Sequence, residues 1–125
     1  MKIGKNLHPN SHIIHGKQAC ISALQNQQRI IHNIWLSDKN YKLFAEKIIQ
    51  KREKKPNFKI CNNDFFKKNF DQTLVHQNFI MEVAYLKQPI IEEIIELNKT
   101  QKTIIILDQI TDPQNIGAIL RSATA

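Results

Sequence analysis

The segment from Ile30 to Leu36 is mostly apolar and rich in β-branched residues, and apolar positions alternate from Phe79 to Val83, so both segments predict strands; Asn57 to Cys61 predicts another. Between Lys39 and Glu53 the period changes. Tyr41, Phe44, Ala45, Ile48 and Ile49 recur at spacings of three and four, which predicts an amphipathic helix that Pro56 brings to an end. Gly16 to Gln25 predicts a shorter helix with Ala19, Cys20, Ala23 and Leu24 on one side, and Asp64 is expected to cap another that runs through Phe70. Residues 1 to 12 are polar and without period, and are expected to fray. Helix and strand therefore alternate, and the expected class is α/β: a small three-layer domain over 13–84 with a mostly parallel or mixed sheet.

A second pattern follows. Residues 85–102 read as a linker and a helix begun by Pro89, with Ile90, Ile91, Ile94 and Ile95 as its apolar face and Glu92 and Glu93 in its first turn. Ile104 to Leu107 predicts a strand covered on both faces. Asp112 then Pro113 supply an N-cap and a first-turn proline, so 103–125 reads as strand, loop, helix. Such loops gather ligands at the carboxyl ends of strands, where Gln109, Asp112, Gln114 and Asn115 would stand.

The order of residues from Leu107 to Ala123 resembles the first motif of the SpoU family of RNA ribose 2'-O-methyltransferases: an acid (Asp108), then Asp112-Pro113, Asn115, Gly117, and Arg121-Ser122-Ala123. His15-Gly16-Lys17-Gln18-Ala19 is similar to the opening of the substrate-binding domain found in members acting on large-subunit ribosomal RNA. His76-Gln77 with Met81-Glu82-Val83 is similar to that domain's close. Asn78 stands where the family usually has glycine, and asparagine is among the few residues that visit left-handed backbone.

The resemblance implies an RNA-binding front domain followed by the start of a trefoil-knot (SPOUT) catalytic domain, with S-adenosylmethionine as the family's cofactor. It implies Arg121 as the central catalytic residue, with Asn115 at the same site. Methyl transfer to a ribose hydroxyl needs the 2'-oxygen deprotonated, the phosphate held and the methyl in line. A guanidinium stays protonated, so Arg121 suits a phosphate clamp better than a base. The later family motifs, which cup the methyl donor, are not among these 125 residues, so this chain alone is expected to be inactive and not to bind it. The alternatives are a non-catalytic RNA-binding module, the remnant of a broken reading frame, or half of an enzyme completed by a missing catalytic chain or a homodimer partner.

Charge changes the picture in one respect. The chain carries +7, but residues 1–72 hold fourteen Lys or Arg against five Asp or Glu, while 73–125 hold four against six. Lys47, Lys51, Arg52, Lys54 and Lys55 concentrate the excess and are the candidate RNA contacts. His15 and His76 lack an acid or nucleophile at motif spacing, so turn roles are expected. Cys20 and Cys61 have no ligand spacing near them, which argues for reduced thiols and against zinc. No run reaches the length of a membrane span, and a cytoplasmic location is expected.

Overall fold

The computed structural model describes residues 7–97 and 103–125. Two compact units divide between Lys87 and Gln88. The first is built on a four-stranded sheet: β1 (Ser11–His15), β2 (Ile31–Leu36), β3 (Asn57–Ile60) and β4 (Phe79–Ala84), in the order β1-β4-β2-β3. Only β2 and β3 are parallel; β4 lies antiparallel between β1 and β2. The sheet is mixed.

Helices cover both faces, as a three-layer domain requires. On one, α1 (Lys17–Gln25) and the helical stretch from Asp38 to Lys51 bury Cys20, Leu24, Ala45 and Ile49 against Ile34, Leu36, Phe79, Met81 and Val83. On the other, α4 (Asn63–Asn69) packs Phe66 with Phe70 and Cys61 on Ile80, flanked by Ile13 and Trp35. Cys20 and Cys61 thus belong to opposite faces, and both thiols are free. Burial pushes the Cys20 thiol up to about 12, which makes it an inert core group.

Three expectations about the elements of this unit need correcting. Ser11 to His15 is an edge strand, where fraying was expected through residue 12. Its polar half gave no apolar signal because its anchor is a charge: buried Glu82 accepts from the His8 backbone N–H, His8 Nδ1, Ser11 Oγ and Asn33 Nδ2. Asp64 is not a cap; the Asn62 side chain accepts from the Phe65 N–H, and Asp64 falls in the first turn. The long amphipathic helix is not uniform. Between α2 (Asp38–Asn40) and α3 (Glu46–Lys51), residues Tyr41–Ala45 form a π-helical turn in which the Glu46 N–H reaches the Tyr41 carbonyl. Leu43 in this turn faces solvent, as its place off the apolar face requires, and Tyr41 stacks on Phe58, ring centres 5.1 Å apart.

In the second unit, α5 (Ile91–Leu97) and α6 (Pro113–Thr124) form as expected, and the Asp112 side chain caps α6 by accepting from the Gln114 N–H. Residues 103–107 are not a strand: their side chains are exposed and they have no ladder partner among the described residues. A β-branched run is compatible with extended backbone, but only a neighbouring strand makes a ladder. Hydrogen exchange is therefore expected to be slow through 31–36 and 79–83 and fast through 103–108. Equal protection of the two regions would contradict this structure.

Candidate RNA-contact surface

The carboxyl ends of β1, β2 and β3 and the start of β4 meet at one end of the sheet, as the pairings His15 with Ile80 and Leu36 with both Ile60 and Phe79 require. Two turns dominate that end, His15-Gly16-Lys17 and His76-Gln77-Asn78, and they interlock. The Gly16 N–H donates to the Phe79 carbonyl, and the Lys17 N–H to Gln77 Oε1, both at 2.9 Å. Gly16 has φ +91°, a conformation costly for any side-chain-bearing residue. Gln77 and Asn78 are left-handed at φ +51° and +54°, so asparagine does keep the turn in which the family usually has glycine.

Asn40 holds this turn from below. Buried at the top of the π-helical stretch, its side-chain amide donates to the carbonyls of both Gln77 and Asn78. His76 stacks on Phe66 at 5.3 Å, and its Nδ1 accepts the Asn78 N–H, so its role is to shape the turn. Burial, helped by nearby His15, pulls the His76 pKa below the usual imidazole range and favours the neutral ring that can accept. His15 Nδ1 is buried without a partner among the described residues.

The result is a pair of clefts on either side of Asn78. One, of about 430 Å³, is lined by Lys17, Lys39, Asn40, Phe44 and Gln77 among others, with the Lys17 ammonium 4.9 Å above the Phe44 ring. The other, of about 220 Å³, is lined by Asn63, Phe66, Lys67, Gln72 and His76. Among the described residues neither has an acidic side chain in its wall. Cations, amides that donate and accept, and an aromatic face together suit phosphates and bases. Lys39, Asn40, Asn63 and Lys67 carried no sequence signal of this role; only the two motif turns marked the place.

The candidate contacts chosen by charge lie elsewhere. Lys47 and Lys51 are exposed on α3, and Lys54 and Lys55 are exposed just beyond it. Arg52 is a correction. It is 4% exposed, and its guanidinium donates to the carbonyls of Leu24, Asn26 and Arg29 at 2.7–2.8 Å, with a longer contact from Nε to Lys54 O. Planar donors in a fork fit such a nest of carbonyls, so this side chain is spent chiefly on the fold and is not displayed with the exposed lysines around it.

In the second unit Asn115 and Arg121 are both exposed on α6. Six residues apart, they lie about 120° apart around a helix, so the helix alone does not put them on one stripe. Asn115 lines an open cleft with Gln109, Asp112 and Ile119, while the Arg121 guanidinium folds back toward Gly117, where an added Cβ would stand 3.4 Å from Nη1. The one carboxylate in that cleft is engaged as the helix cap. Among the described residues no helix is long and apolar enough to cross a membrane, and no group of three His, Cys, Asp or Glu could hold a metal ion.

Fold and site define a mixed-sheet α/β domain with an acid-free, amide-rich end. Residues 13–89 match the family model for RNA 2'-O ribose methyltransferase substrate binding, so the chain belongs to the SpoU methyltransferase family. It is 34% identical over 115 residues to an uncharacterized tRNA/rRNA methyltransferase of Mycoplasma pneumoniae, covering 88% of this chain and 44% of that protein. It is 28% identical to the 23S rRNA (guanosine-2'-O-)-methyltransferase RlmB of Pseudomonas putida, with coverages of 90% and 46%. With the putative TrmH family tRNA/rRNA methyltransferase YacO of Bacillus subtilis the identity is 27%, with coverages of 88% and 45%. The chain thus spans under half the length of these relatives. No solved structure matches it.

Proposed function

We propose that the first unit grips RNA for a 2'-O-ribose methyltransferase of the cytoplasm whose substrate is a guanosine of large-subunit ribosomal RNA, and that the second unit opens that enzyme's knotted catalytic domain. The observation that carries this reading is the coincidence of the family match over 13–89 with the acid-free end built by its two motif turns. Lys17, Lys39 and Lys67 pair with phosphates there, while Asn63, Gln77 and the Phe44 ring meet the nucleosides. Lys47, Lys51, Lys54 and Lys55 extend the basic field.

The reaction class draws its methyl group from S-adenosylmethionine. In the whole enzyme, Arg121 holds the phosphate of the target nucleotide and Asn115 orients the ribose. Neither removes the proton from the 2'-oxygen, since a guanidinium and an amide are both poor bases at neutral pH.

Binding that rests on about four phosphate contacts predicts a slope of about −3 when log affinity for single-stranded RNA is plotted against log salt. Each of Lys17→Gln, Lys39→Gln and Lys67→Gln should flatten it by about 0.7. Fluorescence anisotropy of a labelled single-stranded RNA checks this. Slopes unchanged in all three variants would move the contact surface away from this end.

A further inference from the structure

At the opposite end of the sheet the α1–β2 loop, residues 26–30, faces the turn that follows α3. Between them lies a pocket of about 440 Å³, within the range of small-ligand sites, whose wall includes Gln28, Arg29, His32, Arg52, Lys54 and Lys55. It shares no residue with the clefts around Asn78. Among the described residues no acidic side chain lines it.

Two features of this pocket call for an anion. Arg29 Nη1 is buried and has no hydrogen-bond partner among the described residues, a state that leaves a charged donor desolvated and unrewarded. Beside it, Arg52 is buried on carbonyls alone; the salt bridges among the described residues involve Glu82 and Asp38 and leave it without a counter-ion. A buried cation whose charge is not balanced is costly, and a bound anion is what offsets it. The geometry is also prepared in advance. By bonding the Leu24, Asn26 and Arg29 carbonyls, Arg52 fixes the loop that carries Arg29, and the Gln28 N–H is held by Asn26 Oδ1.

We propose that this pocket is a second, separate phosphate site, which takes one phosphodiester of the RNA held at the other end. Arg29 is the direct ligand, Lys54 and Lys55 close the rim, and Arg52 is a positioning residue that also supplies positive potential. This rests on the RNA-binding reading above. It adds to it that the RNA runs along the domain from end to end rather than stopping at the motif turns.

The test uses the whole chain. Replacing Arg29 with glutamine leaves the backbone bond from Arg52 in place, so the fold is expected to persist, checked by circular dichroism. Affinity for single-stranded oligouridine at low salt should fall roughly tenfold, the scale of one charge-assisted hydrogen bond, and the salt slope should flatten by about 0.7. In arginine-labelled protein, inorganic phosphate should shift the Arg29 side-chain resonance, while chloride at equal ionic strength should not. Oligouridine with a 5'-hydroxyl should cause the same shift; a shift seen only with a 5'-phosphorylated strand would overturn the internal phosphodiester. Wild-type RNA affinity and slope in Arg29→Gln would overturn the pocket and leave the motif-turn reading standing. Phosphate binding through Arg29 with no RNA binding by the wild-type chain would overturn both the RNA reading and this extension of it.

Discussion

Replacing Glu82 with glutamine is expected to cost the first unit about 2 kcal/mol at pH 7 and to remove most of its sensitivity to acid. Burial alone would raise this carboxyl's pKa, but hydrogen bonds from Asn33, the His8 backbone, Ser11 and His8 Nδ1 outweigh it and bring the group down to about 2, against 4.5 for an ordinary glutamate. A depressed carboxyl contributes stability that is complete above its unfolded pKa and disappears as the pH falls through its folded one. The wild-type unit should therefore lose about 3 kcal/mol between pH 5 and pH 2 from this group. In Glu82→Gln that loss should vanish, leaving the smaller share due to Asp71, whose carboxyl is lowered by its bonds from Thr73. Asn33 can turn its amide over to meet the new side chain, so the cost at pH 7 comes chiefly from losing the charge in four charge-assisted bonds. Urea unfolding followed by Trp35, the sole tryptophan, reads this unit alone. An acid slope as steep in the variant as in the wild type would refute the assignment.

Arg52→Ala should cost more, about 3 kcal/mol or above, because it strips the Leu24, Asn26 and Arg29 carbonyls of their donors at once. Arg52→Lys should recover only part, since a point ammonium cannot reproduce a planar fork that spans three acceptors. The same Trp35 unfolding curves measure both. Stability unchanged in Arg52→Ala, with RNA affinity reduced, would mean that this side chain faces RNA after all, as its neighbours in the sequence suggest.

These two residues also show where reading the chain alone stops. Hydrophobic period located β2, β3, β4 and α1, and the pair Asp112-Pro113 located the start of α6, because strand alternation, helical repeat and capping are local properties of consecutive residues. The motif turns His15-Gly16-Lys17 and His76-Gln77-Asn78 were legible through their resemblance to the family, and only for Asn78 did left-handed backbone add a local reason. Glu82 was not. Alternation in β4 assigns it to the face opposite Met81 and Val83, and only the packing of residues 8–11 and Asn33 over that face turns a solvent position into a buried charge. Arg52 sits among four lysines that differ from it in nothing a composition count detects, yet the loop twenty-odd residues earlier supplies the carbonyls that draw it inward. The run from Ile104 to Leu107 has the residues of a strand and no ladder. What the sequence by itself determined is backbone preference and face; which polar groups are desolvated, and so where charge becomes energy or a binding site, was decided by partners distant in the chain, since desolvation is a property of the packed neighbourhood and not of the residue.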